Sequence, residues 1–596
     1  MFNDHYMIFG ILSSSSDLLN SGASFEIQTQ DYTLRTSSSS NRNRGKLVME
    51  PTNFLYTSEL PYVRNNGSYG IYQNDTATLE YIAQKAENNF AGFQFRKDET
   101  SWKCCLSSAR ITRARIYFVL QKDGILCSDD LRELLPYSNR KLNKDGAFSI
   151  LKYGDVPEFI TVIDDIFCVP VGQQLIFGAD ELTDWCNAGR IPRSAFNFFF
   201  KLDFPMDGGN IPKTEKLMEE QFSFISTLNP LVPISGGVDS TLANCLIDKF
   251  IDHAYPAYYI QFGDDDPEVK FAKEAAKATK AELEIAVFKP EDTIPSFAYQ
   301  TDHSIQPIGE SSTISTAYFF KKTGLTGHKV IDGTLADGCY GSTNYNRKVI
   351  GDIPERPVWQ QQMNEWIAAQ LQSRKLPGFE KFHPRDSYMN DPFMQFMDVY
   401  LGPFGNMWLK DSKEISERLL PLWQYYYSFL KADSKDQGDW MKYSVFKMVN
   451  YACKNNTAKS YDNSQPENSG LYPFTWLSIL EDQGHYSWAE KTLENTIKYP
   501  LKKILIGYMN HDFIYRKKVG LNSCFEDWIH LPELKSHFSK CLKKTDGIAA
   551  YFLDNRRKYL LNLYLANERI HPNLARLVIN LSILDAWLEK HKISIK

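Results

Sequence analysis

The chain has 596 residues, too many for one ordinary core, and this length predicts two to four domains. Hydrophobic residues at 43% and charged residues at 23% are typical of a soluble globular protein. The net charge of −5 gives no electrostatic case for a nucleic-acid partner, and no apolar run reaches the roughly 18 residues that span a bilayer. Ten cysteines without a Cys-x-x-Cys pair indicate neither a zinc knuckle nor a redox dithiol.

The first two hundred residues predict mostly β structure, without a secretory signal. Residues 7–12 are apolar but too short for a signal peptide, and no basic segment precedes them, so we expect a cytoplasmic protein. Residues 90–95 and 114–120 are rich in aromatic and β-branched side chains, as strands are. The Pro-, Gly- and Asp-rich residues 203–214 predict an interdomain linker.

After the linker the pattern changes to alternating strands and helices. Strand-like residues at 231–233, 258–262 and 283–288 are separated by helix-like segments with short connections. Such alternation predicts a parallel sheet covered by helices. Ligands of such sheets bind beyond the carboxyl ends of the strands, and a glycine-rich loop follows the first strand at that edge. From about residue 359 the sequence predicts mainly helices.

The glycine-rich loop suits the binding of nucleotide phosphates at a helix start. Two consecutive glycines let the backbone approach an anion, and the N–H groups of the following helix favour negative charge. Asp239 would be out of place in a pure anion cradle, so it indicates a magnesium ion between carboxylate and phosphate. The Walker spacing is absent, which excludes a kinase-type P-loop, and an ordinary strand–turn–helix junction is the structural alternative. The candidate ATP- and pyrophosphate-binding residues are Ser235, Gly236, Gly237, Val238, Asp239 and Ser240.

This loop resembles that of the ATP pyrophosphatase superfamily, and the chain is similar to the class B asparagine synthetase-type proteins. Residues 330–341 resemble the family's Leu-Ser-Gly-x-Gly-Ala-Asp-Glu loop, and residues 513–521 resemble its Arg-x-Lys-x-Gly-Phe segment. The resemblance implies a multidomain α/β fold. It places a β-rich, Ntn-type αββα domain at 1–202, a linker at 203–214, and a doubly wound parallel-sheet ATP pyrophosphatase domain with a large helical part at 215–596.

The N-terminal half resembles the family's glutaminase domain but lacks its nucleophile. The family's chain begins Met-Cys-Gly-Ile, and the cysteine supplies both the terminal amine and the thiol. Residues 8–11 here read Ile-Phe-Gly-Ile, so Phe9 stands at the cysteine position. A phenyl ring cannot act as a nucleophile. The resemblance therefore implies a degenerate glutaminase-like domain with a structural or substrate-binding role.

The resemblance also assigns residues of the synthetase half. Asp337 falls at the aspartate that shares magnesium with Asp239, and Gly333 falls in the nucleotide-binding part of the same loop. Lys518 falls at the lysine that offsets charge on the oxyanion, with Arg516 as a second catalytic candidate two residues before it. The structural alternatives are a pair of turn dipeptides for the loop and a solvated charge run for the basic residues.

These residues imply an AMP-forming amide ligase that uses ATP as co-substrate and Mg²⁺ as cofactor. A substrate carboxylate would be adenylated, and an amine would then form the amide. Ser469, Leu471 and Trp476 stand at charged positions of the family's substrate segment, which favours an acyl substrate larger or less polar than aspartate. Together with Phe9, this pattern resembles the β-lactam synthetases and lasso-peptide cyclases, in which the amine belongs to the substrate itself.

Several alternatives stay open at the level of sequence. They are an ammonia-dependent asparagine synthase, a non-catalytic nucleotide-binding protein and another AMP-forming transferase. The expected partners are a small-molecule or peptide carboxylate and an amine, without nucleic acid or membrane, and a homodimer or a precursor-peptide partner is left open. Residues 351–468 are rich in aromatic side chains, for which helix packing is the leading prediction and a peptide-sized pocket the alternative.

Overall fold

The computed structural model describes residues 7–13, 25–28, 32–38, 47–50, 53–74, 77–309, 311–341, 408–424, 430–432, 468–516 and 524–595. Lys518 and most of the aromatic-rich residues 351–468 lie outside these ranges. Within them the chain forms a β-rich N-terminal part, a five-stranded parallel sheet and a largely helical C-terminal part.

Two six-stranded antiparallel sheets form the N-terminal part. Its strands are β1 (Met7–Ser13), β2 (Phe25–Gln28), β3 (Tyr32–Ser38), β4 (Leu47–Glu50), β5 (Asn53–Thr57), β6 (Tyr62–Asn65), β7 (Ser68–Ile71), β8 (Gly92–Lys97), β9 (Trp102–Ser107), β10 (Tyr117–Gln121), β11 (Gly124–Ser128), β12 (Phe167–Cys168), β13 (Gln173–Phe177) and β14 (Phe196–Phe198). One sheet has the order β12-β10-β11-β1-β3-β2 and the other β14-β13-β9-β8-β5-β4, while β6 and β7 form a separate hairpin.

Helices pack on both sheets, and the core lies between the sheets. The helices of this part are α1 (Leu79–Lys85), α2 (Leu131–Leu134), α3 (Lys144–Tyr153) and α4 (Ala179–Ala188), of which α1, α2 and α4 contact the sheets. α1 contacts β8 and β9 of one sheet, whereas α2 and α4 contact β10 and β11 of the other. Phe9 on β1 meets Phe54 on β5 and Phe93 on β8 across the interior. The predicted αββα layering is confirmed.

The second half is built on a parallel sheet. Its strands, with one short outlying pair, are β15 (Leu202–Phe204), β16 (Pro230–Pro233), β17 (Tyr255–Phe262), β18 (Ala281–Phe288), β19 (Lys329–Ile331), β20 (Leu430–Ala432) and β21 (Ser469–Leu471). The helices between them are α5 (Ile211–Ile225), α6 (Val238–Phe250), α7 (Val269–Lys277), α8 (Thr293–His303), α9 (Ser312–Thr323) and α10 (Ala336–Tyr340). The predicted doubly wound α/β class is confirmed, with the sheet order β18-β17-β16-β19-β21.

This strand order creates the position for a ligand. The chain moves outward from β16 through β17 to β18, and then returns to place β19 on the other side of β16. The connections after β16 and β19 therefore leave the carboxyl edge in opposite directions. A crevice opens between such diverging connections. The glycine-rich loop follows β16 and the loop with Asp337 follows β19, so both predicted ligand loops border one crevice.

Residues 203–214 are more ordered than a free linker. β15 pairs in parallel with β20, and α5 begins inside the range. The side chain of Asn210 accepts a hydrogen bond from the N–H of Lys213, and Pro212 lies in the first turn. Asn and Pro are frequent in loops, but Asn just before a helix and Pro in its first turn also favour the start of a helix. Composition alone does not separate these two cases, and it therefore predicts a linker here.

The C-terminal part is helical and holds the two halves together. Its described helices are Ser412–Gln424, Leu477–Gly484, Trp488–Lys491, Tyr499–Leu505, His511–Tyr515, Phe525–Trp528, Pro532–Lys543, Ile548–Leu553, Arg556–Ala566 and Pro572–Lys590. The last of them packs against α3 and α8, and Ser594 pairs with Lys141 of the N-terminal part. Among the helices that the structure describes, none combines the length and apolarity that crossing a membrane requires.

Candidate functional site

The glycine-rich loop turns sharply at the carboxyl end of β16. Gly236 has a φ of +67°, and a Cβ there would lie 2.6 Å from the Cβ of Phe271. Only glycine accommodates both the left-handed backbone and this close approach. No side chain in the described part of the chain caps the first turn of α6. The N–H groups of that turn therefore form an anion site of the kind found at helix N-termini.

The two serines of the loop are bonded to each other. The Oγ atoms of Ser235 and Ser240 lie 2.9 Å apart, and the N–H of Ser235 donates to Ser240 Oγ over 3.1 Å. The N–H of Gly237 donates to Ser235 Oγ over 3.4 Å. The loop is half-buried at four positions, Ser235, Val238, Asp239 and Ser240. The two serine hydroxyls therefore lie partly exposed at the start of the helix.

The guanidinium of Arg516 holds this loop through the backbone of Gly236. It donates to the carbonyl of Gly236 over 3.0 Å and forms an ion pair with Glu268, with Nη2 and Oε2 2.6 Å apart. The same guanidinium lies 3.6 Å from the ring centroid of Phe271. The side chains of Arg516 and Glu268 are only 10% and 6% exposed, so the pair is shielded from water. Arg516 is thus part of a buried contact and not of a solvated charge run.

The loop after β19 brings a second carboxylate to the crevice. Asp332 closes its turn, because its Oδ1 accepts from the N–H of Thr334 over 2.7 Å. A Cβ on Gly333 would lie 3.3 Å from the Cβ of Asp239, so the two loops are in contact at this glycine. Leu335 precedes α10 with a φ of +77°, an unusual conformation for a branched side chain. Asp337 lies in the first turn of α10.

Lys498 joins the two loops. Its Nζ lies 2.5 Å from Oδ2 of Asp239 and forms a second ion pair with Oδ1 of Asp337. Burial alone lowers the pKa of Lys498, but the two carboxylates outweigh it and hold the pKa above its ordinary value. The lysine side chain is 10% exposed, whereas that of Asp337 is 51% exposed. The ammonium is therefore charged, and it is more buried than the carboxylate of Asp337 that it contacts.

The carboxylates fit the magnesium ion that the sequence predicts. Oδ1 of Asp239 is buried and has no hydrogen-bond partner among the described residues, which leaves an anionic oxygen for a cation. Carboxylate oxygens are the ligands that Mg²⁺ prefers, and it usually takes one or two of them together with phosphate and water. The described residues contain no cluster of three or more acidic, His or Cys side chains that could hold a metal by themselves. A metal here would depend on the nucleotide for further ligands.

The structure locates most of the predicted site residues and adds three that the sequence did not indicate. It brings the glycine-rich loop, Gly333, Asp337 and Arg516 to one edge of the sheet. Glu268 follows an acidic run that has the composition of a surface loop. Nothing in the sequence around Phe271 indicates that this residue lies against the glycine-rich loop. Lys498 precedes a Tyr-Pro pair at a helix start, and nothing in that sequence distinguishes it from a surface lysine.

The three substitutions in the predicted substrate segment have a structural explanation. Ser469, Leu471 and Trp476 are buried. Trp476 packs against Tyr62 and Tyr69 of the N-terminal hairpin, with ring centroids 5.7 and 5.3 Å away. The tryptophan therefore fills the contact between the two halves of the molecule. This packing is a structural reason for the tryptophan, and the inference that the substrate is larger or less polar than aspartate stays a prediction.

Comparison with known proteins identifies one family for the chain. A family model described as asparagine synthase matches residues 228–589, more than half of the chain. No curated protein matches the chain. Among solved structures, an NMN synthetase from Francisella tularensis is similar at 12% identity and a TM-score of 0.18, over 22% of this chain and 58% of that one. The chain thus spans less than two thirds of that structure, and this similarity is too low to carry an argument.

Proposed function

This chain belongs to the asparagine synthase family, and from that premise we propose that it is an ATP-dependent, AMP-forming amide ligase. In the proposed reaction a substrate carboxylate oxygen attacks the α-phosphorus of ATP. The bond to the bridging oxygen breaks, and an acyl-adenylate and pyrophosphate form. An amine then attacks the acyl carbon, loses a proton and releases AMP, which leaves the amide.

The observation that carries the proposal is the meeting of two loops at the carboxyl edge of the sheet. Asp239 lies in the first turn of the helix that follows the glycine-rich loop, and Asp337 lies in the first turn of the helix that follows β19. One ammonium contacts both carboxylates, so they lie close enough to act on one ligand. An uncapped helix start beside two carboxylates suits a metal-bound polyphosphate better than either feature would alone.

Each residue has a defined task in this proposal. The N–H groups at the start of α6 and the hydroxyls of Ser235 and Ser240 would bind the leaving pyrophosphate. The chemistry expected of Mg²⁺ at Asp239 and Asp337 is neutralisation of the charge that develops on that group. Lys518, by resemblance, would offset charge on the oxyanion when the amine attacks.

The source of the amine is restricted by the N-terminal part. Phe9, which by resemblance stands at the position of the glutaminases' nucleophilic cysteine, is fully buried. An aromatic ring there cannot attack glutamine. We therefore expect the amine to come from ammonia or from the substrate itself, as in the β-lactam synthetases and lasso-peptide cyclases that the sequence resembles.

The deciding experiment is ATP–pyrophosphate exchange, with magnesium, across a panel of carboxylates. The panel includes aspartate, β-amino acids and short peptides. Exchange that depends on one carboxylate would establish adenylation and identify the acyl substrate. Aspartate-dependent exchange followed by asparagine formation from ammonium would favour an ammonia-dependent asparagine synthase.

Two variants of the same loop sharpen this test. Asp337→Asn should abolish exchange, because it removes a carboxylate from the proposed metal site. Asp332→Asn should retain most of the activity, because an asparagine oxygen can still close the turn with Thr334. ATP binding without exchange on any carboxylate would instead indicate a non-catalytic nucleotide-binding protein.

A further inference from the structure

The contact of Lys498 with both acidic loops has a consequence for metal binding. Its ammonium contacts one oxygen of each carboxylate, Oδ2 of Asp239 and Oδ1 of Asp337. A divalent cation held by these carboxylates, even at the unpartnered Oδ1 of Asp239, would lie beside this ammonium. Two positive charges a few ångströms apart repel strongly in a partly buried site.

The backbone holds this lysine in place. Lys498 has a φ of 58° and a ψ of 35°, a left-handed conformation that a lysine adopts only where its surroundings impose it. Its N–H donates to the carbonyl of Tyr340 over 3.1 Å, and Tyr340 ends the helix that begins beside Asp337. A backbone hydrogen bond therefore joins Lys498 to α10, the helix that contains its partner Asp337. Its position is set by the fold and not by the ion pairs alone.

A neighbouring lysine provides a comparison. Lys502 lies one helical turn beyond Lys498 and donates to the hydroxyl of Thr496. Burial, together with the charge of Lys498, lowers the pKa of Lys502. The two lysines therefore share a region of the protein, but only Lys498 is bonded to the carboxylates in the described part of the chain.

We propose that Lys498 is a resident cation that aligns Asp239 and Asp337 and closes the metal site to free divalent ions. The site opens when a metal–nucleotide complex enters, because the triphosphate supplies a new anionic partner for the displaced ammonium. Metal and nucleotide therefore bind together and not in sequence. This inference rests on the proposed function for the identity of the metal ligands, and it adds the order in which they are filled.

The test measures Mn²⁺ binding to the full chain without nucleotide, by the electron paramagnetic resonance signal of free Mn²⁺. The proteins are the unchanged chain, Lys498→Met, Lys498→Gln and, as a matched control, Lys502→Met. We expect both Lys498 variants to bind Mn²⁺ at least about tenfold more tightly than the unchanged chain, whereas Lys502→Met leaves the affinity unaltered. Adding Asp239→Asn to Lys498→Gln should remove the gained site.

Equal Mn²⁺ affinity in the unchanged chain and in a folded Lys498 variant would overturn the proposal. An equal gain in Lys502→Met would overturn it too, because the effect would then be one of general charge. The glutamine variant keeps a hydrogen-bond donor at the end of a slightly shorter, uncharged side chain, so it remains informative if the methionine variant does not fold. Because no turnover is measured, failure of ATP–pyrophosphate exchange would count against the proposed reaction and not against this role of Lys498.

Discussion

The ring of Phe9 lies parallel to the ring of Phe93, with 4.2 Å between the centroids and 1° between the planes. Phe54 and Tyr56 pack against the same ring from the facing sheet, at 5.5 and 5.3 Å. Phe9, which by resemblance stands at the position of a glutaminase nucleophile, is therefore part of a closed aromatic cluster. Such ring contacts stabilise the N-terminal part.

The first prediction concerns the stability of this cluster. Phe9→Ala should lower the free energy of unfolding of the N-terminal part by about 3–5 kcal/mol, because it leaves a cavity between two sheets. Tyr81→Ala, at a ring that is 49% exposed, should cost less than about 1 kcal/mol. Urea-induced unfolding followed by aromatic circular dichroism measures both. Similar losses in the two variants would show that Phe9 is not a core residue.

The second prediction concerns the anchor of the glycine-rich loop. Glu268→Gln should weaken ATP binding about 10- to 100-fold, because the guanidinium of Arg516 loses its charged partner and holds the carbonyl of Gly236 less firmly. Glu274→Gln changes the same residue type on the exposed side of α7, and should leave the affinity unchanged. Isothermal titration with a non-hydrolysable ATP analogue gives both dissociation constants. An unaltered affinity in Glu268→Gln would mean that the loop does not need this ion pair.

The third prediction uses the left-handed backbone at Leu335. Leu335→Gly and Leu335→Ala both remove the buried side chain, but only glycine relieves the strain at a φ of +77°. The glycine variant should therefore be the more stable of the two, by about 1 kcal/mol. The order should reverse at Leu242, which lies inside α6, because alanine favours a helix over glycine by about 1 kcal/mol. The same order at both positions, measured by thermal unfolding, would contradict the assigned conformation of Leu335.

Local pattern was sufficient to predict the part of the site that is built from contiguous residues. The strand before Gly236 and the helix after it are visible as an apolar run, a glycine pair and a helix-like segment, and the structure has β16 and α6 there. The pairing of Asp239 with Asp337 is predicted by the resemblance to the synthetase family, and the observed strand order, which opens a crevice between diverging connections, agrees with it. The contiguous elements depend on short-range periodicity, which one sequence shows directly.

The contacts made over long sequence separations could not be predicted in this way. Lys498 reaches Asp239 because a left-handed backbone and a bond to Tyr340 aim its side chain, and no spacing in the sequence encodes that direction. Glu268 has the same composition around it as a solvated loop, and only its burial against Arg516 distinguishes it. Tertiary packing decides such cases, because many sequences with the same local pattern would leave these charges in water.

The last prediction concerns Lys491, which is fully buried beside the helix that ends at Tyr340. Its Nζ donates to the side-chain oxygen of Gln483 over 2.9 Å, and burial lowers its pKa from 10.5 to about 7. Between pH 7 and 10.5 the unfolded chain therefore holds a proton at this lysine that the folded chain has released. A state that binds more protons loses stability relative to the other as the pH rises, so the folded protein should gain stability across this window.

Lys491→Met removes this titration and should remove the corresponding gain. The unfolding free energy of the unchanged protein should rise relative to that of the variant by at most about 1.4 kcal/mol per pH unit from pH 7 to pH 9. Below pH 7 the difference between the two proteins should be constant, because the lysine is then protonated in both states. Urea-unfolding curves at half-unit intervals, recorded in parallel, isolate this lysine because every other titrating group is common to the two proteins. Curves that stay parallel up to pH 9 would show that Lys491 keeps its proton in the folded state, paired with an acid such as Asp482.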